Sequence, residues 1–243
     1  MVAHSKEKCI AGSGVSGWVT SLLYPLGSRI LLPFYFDHIK LIGERYLPSE
    51  GPLLIAPTHR SRWDGLVVGH VFGRPATGRD LRYMVSVNEM SGAQGWLIRK
   101  FGGFSIDPDC PKISVLRHGV DLLHQEQTLV IFGEGDIFYE RTVDYIKPGL
   151  ARIALQAQKK ATRCKKELPV RILPVGLYYS EPVPTRGSSV EVRLGPTMNV
   201  QDYMNMPCKE ADPRLTQDLK SSLNHLMTWS EEVPISQVSA QPL

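Results

Sequence analysis

The chain has 243 residues, of which 42% are hydrophobic, so it can bury one sizeable core and fits one domain with appendages. Its 28 basic and 24 acidic side chains leave a net charge of only +4, which by itself says little about partners. We expect no nucleic-acid partner. The four cysteines stand apart from one another, which argues against a disulfide framework or a zinc knuckle and indicates a reducing compartment.

The chain opens with a mostly apolar stretch from about Val15 to Phe36, behind Lys6 and Lys8. This stretch superficially resembles a signal peptide or a membrane anchor, but it contains no clean run of about 18 to 20 apolar residues. The interruptions are Pro25, Gly27, Arg29 and Pro33. We therefore predict that residues 1–36 form one or two short apolar helices that pack on the domain or lie in a membrane interface.

Strand-like and helix-like runs alternate over residues 37–232, which predicts one α/β layered domain around a largely parallel or mixed sheet flanked by helices. The predicted strands are His38–Gly43, Leu53–Ala56, Leu81–Val87, Gly103–Ile106, Thr128–Phe132, Arg171–Leu177 and Ser189–Leu194. The predicted helices are Ser61–Phe72, Glu89–Phe101, Lys112–His124, Gly149–Ala161 and Arg214–Glu232. Residues 233–243 have no periodicity and are predicted to be a flexible tail.

Polar residues follow three of the predicted strands. They lie in the segments 59–64, 104–108 and 132–136. In a sheet of this kind, ligands gather outside the carboxyl ends of the strands, where loops lead into helices. We therefore expect the three loops to converge on one crevice.

His59 and Asp64 lie where a predicted strand gives way to a predicted helix. Residues five apart on one helix point about 140° away from each other, so the pair can meet only if His59 precedes the first turn. A histidine oriented by a carboxylate is the minimum equipment for taking a proton from a nucleophile. The alternative is structural, because Ser61 and Asp64 also have the spacing of a helix capping box.

Two later segments stand out. The run from Phe132 to Asp136 sets two glycines around Glu134, which lets a backbone approach a ligand closely, although a plain glycine turn would look the same. The second segment has Pro174 inside a strand-like run, and proline is tolerated in a sheet only at an edge or a bulge.

A cluster of cations follows the helix that begins near Leu150. Its members are Lys159, Lys160, Arg163, Lys165 and Lys166. The cluster is either a solvated helix end or a surface for anionic lipid headgroups, phosphates or an acidic carrier protein.

Taken together, these segments resemble the glycerolipid acyltransferase family from about Ile39 to Gly195. The family's first motif, a histidine and an aspartate separated by four residues, is matched by His59 and Asp64. The resemblance implies that His59 is a general base and that Asp64 orients it.

The other family motifs are matched less completely. In the second motif, Gly103, Ile106 and Asp107 match, but Pro108 stands where arginine is common. The third motif, Phe-Pro-Glu-Gly-Thr-Arg, is matched at Phe132, Glu134 and Gly135, with Gly133, Asp136 and Ile137 in place of the other three residues. Pro174 resembles the proline of the fourth motif. Lys147 lies in a stretch that resembles the segment after the third motif. The substrate-binding residues that the resemblance implies are Gly103, Asp107, Glu134, Gly135, Lys147 and Pro174.

The resemblance implies transfer of a fatty acyl group from acyl-CoA or acyl carrier protein to a hydroxyl of lysophosphatidate or a related lysolipid, in phospholipid biosynthesis or remodelling. It implies neither a metal nor a cofactor beyond the acyl donor. With the apolar leading segment, it also implies a cytoplasmic protein that is peripherally attached to a membrane.

The arginines that hold the acceptor's phosphate in the family are missing from their usual places. Arg117, Arg141 or Lys147 are candidate substitutes. A catalytically silent lipid-binding homologue of the same fold is therefore the main alternative.

Two other enzyme classes are disfavoured. A serine esterase would need a Gly-x-Ser-x-Gly elbow, which does not occur. A glycine pattern at residues 12–17 fits a dinucleotide fingerprint, but no strand precedes it.

Overall fold

The computed structural model describes Gly17 and residues 24–228. Most of the leading segment and the whole predicted tail, 233–243, lie outside the described residues. The strands are β1 (Phe36–Ile42), β2 (Leu53–Pro57), β3 (Leu81–Ser86), β4 (Gly103–Ile106), β5 (Thr128–Ile131), β6 (Arg171–Tyr179), β7 (Ser188–Leu194) and β8 (Met198–Asn199). The first seven correspond to the predicted strands, whereas the two-residue β8 was not predicted.

The strands form one eight-stranded sheet within the described residues, in the order β1-β7-β6-β2-β5-β3-β4, with β8 beside β6. Strand β6 runs antiparallel to β7 and β8, and the other neighbouring strands are parallel. The predicted α/β class with a largely parallel or mixed sheet is confirmed, and the sheet is mixed.

Residues 24–26 are helical and lead into a π-helix at Gly27–Leu31. The α-helices that follow are α1 (Leu32–Tyr35), α2 (Asp64–Phe72), α3 (Arg74–Thr77), α4 (Gly92–Lys100), α5 (Ile113–His124), α6 (Gly149–Arg163) and α7 (Cys208–Thr228). Helix α2 begins three residues after its predicted start at Ser61, because the residues before Asp64 form a separate turn. Helix α7 begins before its predicted start at Arg214, and its predicted last residues, 229–232, lie outside the described part of the chain.

The central strand β2 is buried on both faces. Its side chains alternate, so that Leu53 and Ile55 pack on the side of α2 while Leu54 and Ala56 pack on the side of α5, α6 and α7. A strand covered on both faces has no polar positions, which explains its continuous apolar sequence. Burying each large aliphatic side chain contributes about 1.5–3 kcal/mol to the stability of this three-layer arrangement.

The described part of the leading segment packs on the domain with one face. Tyr24 and Leu32 are buried, and the Tyr24 ring meets the edge of Phe101 at a centroid distance of 5.3 Å. The other side of this segment exposes four large apolar side chains, those of Leu26, Ile30, Leu31 and Phe34. Within the described ranges, no helix combines the length and the apolar character needed to cross a membrane.

Pro174 lies in the interior strand β6, where the pairing with β2 is regular, so it is at neither the edge nor the bulge that the sequence predicted. Its carbonyl accepts a hydrogen bond from the Gly195 amide at 3.0 Å, so its missing N–H faces the same side. On that side β7 ends at Leu194 and β8 begins at Met198. The proline is tolerated because its absent donor falls in the gap between these two strands.

Candidate active site

The candidate site lies at the carboxyl end of the sheet, where β2 leads into α2. Immediately after β2, the Thr58 amide donates to the Val175 carbonyl at 2.9 Å, and the Thr58 hydroxyl accepts from the Leu177 amide at 2.9 Å. These two bonds fasten the start of the loop to β6.

His59 and Asp64 are in direct contact, with 2.8 Å between Nδ1 and Oδ2. Asp64 is fully buried, whereas the His59 side chain is 22% exposed. An ionised carboxylate can only accept, so Nδ1 carries the proton and Nε2 of the neutral ring is left with its lone pair. No residue in the described part of the chain hydrogen-bonds Nε2. The histidine can therefore present a base to a ligand outside the loop.

The Asp64 carboxylate is held from several directions. Besides His59, Oδ2 accepts from the amides of Arg60 at 2.6 Å and Ser61 at 2.9 Å. Oδ1 accepts from the Tyr179 hydroxyl at 2.6 Å. Burial, and after it the Asp64 charge, raises the pKa of Tyr179 well above its usual value, so this hydroxyl remains a donor.

The capping-box interpretation holds only in part. The Asp64 carboxylate accepts from the Ser61 amide, but the Ser61 hydroxyl accepts from the Trp63 amide at 3.3 Å and not from the Asp64 amide, as a capping box requires. Helix α2 begins at Asp64 itself and has no side-chain cap, so Asp64 holds the turn before the helix as well as contacting His59.

Strand β5 lies beside β2 and brings its own loop to His59. The Phe132 ring stacks on the His59 ring, with centroids 4.3 Å apart and planes inclined by 29°. Glu134 Oε1 accepts from the His59 amide at 2.8 Å, and both Glu134 oxygens accept from Arg60. Burial raises the pKa of Glu134, an effect that these bonds and the Arg60 charge oppose.

The Lys147 side chain lies next to Gly135 in the same loop. Gly135 has a φ of +80°, and a Cβ atom built on it would lie 2.8 Å from both Cδ and Nζ of Lys147. The Lys147 amide donates to the Gly133 carbonyl at 2.8 Å. Among the described residues, no carboxylate pairs with the Lys147 ammonium group. The lysine therefore supplies a cation next to the loop that contacts His59.

A family model described as Acyltransferase matches residues 38–178, which is more than half of the chain. The chain belongs to the acyltransferase family. The matched range contains the His59 loop, the Glu134 loop and Lys147.

One relative of this acyltransferase-family chain is the 1-acyl-sn-glycerol-3-phosphate acyltransferase of Streptococcus pneumoniae (strain ATCC BAA-255 / R6), which is 27% identical over 165 residues. That match covers 65% of this chain and 54% of the pneumococcal protein, about half of its length. Among solved structures, the 1-acyl-sn-glycerophosphate (LPA) acyltransferase PlsC from Thermotoga maritima has a TM-score of 0.62, at 16% identity, over 88% of this chain and 82% of that one. The structural likeness concerns the fold alone.

The expected convergence of three loops stays a prediction for the loop at residues 104–108, at the end of β4. Strand β4 is at the sheet edge, with β3 between it and β5. Asp107 there closes a local turn by accepting from the amides of Asp109 and Cys110, both at 3.1 Å. Gly103 is buried at the first residue of β4, where a Cβ atom would overlap Ile98. The substrate-binding roles of these residues and of the buried Pro174 stay predictions.

The other candidate cations have different surroundings. The Arg141 guanidinium lies over the Tyr178 ring, 4.4 Å from its centroid, and Arg117 is exposed on α5. In the cluster at the end of α6, Lys160 pairs with Asp121 at 2.6 Å and Lys166 pairs with Glu126 at 2.8 Å. Glu126 lies two residues before the start of β5, so this cluster lies at the end of the sheet opposite His59.

Arg60 and Tyr179 were not identified from the sequence as site residues. A signal existed for Tyr179, because it continues the inward-facing alternation of β6 and a buried tyrosine hydroxyl usually needs a partner. Arg60 gave no such signal, since an arginine next to a loop histidine is ordinarily solvated. In the described part of the chain, no group of histidine, cysteine and acidic side chains could hold a metal ion.

Proposed function

We propose that this protein is an O-acyltransferase that moves a fatty acyl group from a thioester donor to a hydroxyl of 1-acyl-sn-glycerol 3-phosphate or a related lysolipid. The observation that carries the proposal is the 2.8 Å contact between His59 Nδ1 and the buried Asp64 carboxylate, in a chain of the acyltransferase family. The pneumococcal relative is a 1-acyl-sn-glycerol-3-phosphate acyltransferase, which supports the choice of acceptor.

In the proposed reaction, Nε2 of His59 takes the proton of the acceptor hydroxyl as that oxygen attacks the thioester carbonyl carbon. The C–S bond then breaks, and the departing thiolate takes the proton back from the imidazolium. Asp64 keeps the proton on Nδ1 and stabilises the imidazolium that forms. A thioester already has a good leaving group, so the proposal needs neither an acyl-enzyme intermediate nor a cofactor beyond the donor.

The oxyanion of this reaction requires a donor near His59. Within residues 60–64, the amides of Arg60, Ser61, Trp63 and Asp64 already donate to Asp64 or Ser61. The amide of Arg62 has no acceptor among the described residues. We assign it the oxyanion role that amides near a helix start can fill.

We assign the acceptor's phosphate to Lys147, because its ammonium group lies over Gly135 and no carboxylate in the described ranges neutralises it. A lysine can bind a phosphate as a point charge without the planar fork of the missing arginines. The donor is acyl-CoA or acyl carrier protein.

The central experiment is an assay of His59→Ala with labelled acyl-CoA and acyl carrier protein against a panel of lysolipids. General-base catalysis contributes about 10²- to 10⁴-fold, so kcat should fall by that factor in the variant. Wild-type turnover in His59→Ala would refute the proposed base. Lipid binding by the wild type without transfer from either donor would favour the catalytically silent homologue.

We also propose peripheral attachment to the cytoplasmic face of a membrane, through the exposed apolar side of the leading segment. Ile30 and Phe34 are 62% and 60% exposed, and they lie one helical turn apart. Replacing both by serine should lower binding to vesicles of phosphatidylcholine and phosphatidylglycerol by at least about tenfold. Ile113→Ser, which removes an exposed apolar side chain from α5, is the matched control. Wild-type protein that binds no anionic vesicle at low salt would contradict the attachment.

A further inference from the structure

A buried ion pair lies directly beneath the His59 loop. Arg60 Nη1 is 2.8 Å and 2.9 Å from the two carboxylate oxygens of Glu134, and the two side chains are only 4% and 2% exposed. Among the ion pairs of the described residues, this is the one in which both partners are almost completely buried. The other short pairs have at least one partially exposed side chain.

The pair hydrogen-bonds to both the amide and the carbonyl of His59. Glu134 Oε1 accepts from the His59 amide at 2.8 Å, and Arg60 Nη1 donates to the His59 carbonyl at 3.0 Å. The same carbonyl accepts from the Phe138 amide at 2.9 Å, and Arg60 Nη2 donates to the Thr142 carbonyl at 3.2 Å. The pair therefore joins the His59 loop to the two segments that follow β5.

Glu134 is poorly placed to contact a substrate. An ionised carboxylate can only accept, and its oxygens are occupied by Arg60 and by the His59 amide. The substrate-binding role that the family resemblance implies for Glu134 would require the carboxylate to leave these partners and expose itself.

We propose that the Arg60–Glu134 pair consists of two positioning residues, which fix the backbone of His59 so that its ring stays on Asp64 and Phe132. The imidazole Nε2 is thereby aimed at the acceptor hydroxyl without contact between the pair and the substrate. This inference depends on the proposed acyl transfer for its kinetic test, but the structural part of the test does not.

The kinetic test compares Glu134→Gln with the matched control Glu191→Gln. Glu191 forms a similarly short pair with Arg193 in β7, 2.6 Å long, and its carboxylate accepts from Arg193 and not from the His59 loop. A misplaced catalytic group can cost about 10²-fold in rate, so kcat of Glu134→Gln should fall by about 10- to 100-fold with the acceptor KM changed less than about twofold. Arg60→Lys should likewise lower kcat and leave the acceptor KM nearly unchanged. A large rise in acceptor KM with kcat retained, in Glu134→Gln alone, would instead place Glu134 on the substrate.

The structural test does not need turnover. In histidine-labelled protein, NMR should detect the His59 Nδ1 proton as a downfield resonance, assigned by its loss in His59→Ala. Glu134→Gln should shift or broaden this resonance, whereas Glu191→Gln should leave it unchanged. An unchanged resonance in Glu134→Gln would overturn the positioning role. A normal resonance in a wild-type protein without transferase activity would instead refute the proposed function.

Removing one partner of a buried pair leaves an unpaired charge and can prevent folding. The double variant Arg60→Met with Glu134→Leu replaces the two charged side chains by apolar ones of similar volume. Proteins with such replacements often fold well. We expect it to give a wild-type circular dichroism spectrum and the same loss of kcat. A folded double variant with wild-type kcat would overturn the proposal.

Discussion

The Tyr179 hydroxyl donates a 2.6 Å hydrogen bond to Asp64 Oδ1, while Oδ2 of the same carboxylate accepts from His59 Nδ1 at 2.8 Å. The tyrosine ends strand β6, so an interior strand of the sheet fixes the carboxylate that orients the histidine. Because Asp64 and Tyr179 are both buried, water cannot replace this bond at low cost.

Replacing Tyr179 by phenylalanine should lower kcat about tenfold, because even a small misplacement of a catalytic group can cost up to about 10²-fold. Without the hydroxyl, Asp64 Oδ1 loses its hydrogen bond from Tyr179, so the carboxylate is held less firmly against His59. Steady-state rates of the variant and the wild type measure the loss, and a kcat within twofold of the wild-type value would contradict this account.

The same variant should change stability at alkaline pH. The pKa of Tyr179 is raised in the folded state, so the unfolded chain loses this proton at a lower pH than the folded protein does. The stabilisation is present below the ordinary tyrosine value of about 10 and is lost as the pH rises above it. Urea unfolding at pH 8 and above pH 10 should show a steeper loss for the wild type than for Tyr179→Phe. Equal losses would mean that the hydroxyl ionises alike in both states.

Replacing Asp64 by asparagine should lower kcat by about 10³- to 10⁴-fold, since an amide that faces the ring does not enforce the required tautomer. In the wild type, the Asp64 carboxylate accepts hydrogen bonds from four donors. The asparagine amide has one acceptor oxygen where the carboxylate has two. The free energy of unfolding should therefore fall by about 1–3 kcal/mol. Glu210→Gln, an exposed change on α7, is the control. Activity retained within tenfold would mean that Asp64 only holds the turn before α2.

Replacing Lys147 by methionine should raise the KM for lysophosphatidate about tenfold, because the phosphate loses one charge-assisted contact. Monoacylglycerol, which lacks the phosphate, should show an unchanged KM. Lys159→Met removes an exposed lysine from α6 and should leave both values alone. Steady-state assays with the two acceptors test the assignment, and an equal change with both would rule out the phosphate contact.

The sequence predicted the sheet strands well because buried strands carry their signal locally. Strand β2 is apolar at every position, and the polar segment after it marks the turn toward α2. The meeting of His59 and Asp64 was predictable for the same reason, since both lie within one short strand-to-helix junction.

The neighbours of that junction were not predictable. Asp107 and Glu134 both follow strands, but only Glu134 comes from a strand beside β2. Strand order is set by pairing between distant segments, and a periodic pattern does not record which strands pair. The expectation for Pro174 failed for the same reason, because the gap that accommodates it is formed by the separate ends of β7 and β8.

The sequence by itself determined the α/β class, the resemblance to the acyltransferase family and the local pairing of a base with a carboxylate. The tertiary structure decided what holds that pair. Tyr179 on β6 and the loop after β5 reach it only because β2 lies between those two strands. The tertiary structure also decided that Glu134 faces Arg60 and the His59 backbone. A buried charge is stable only when an opposite charge lies next to it, and Arg60 and Glu134 are brought together only by the fold.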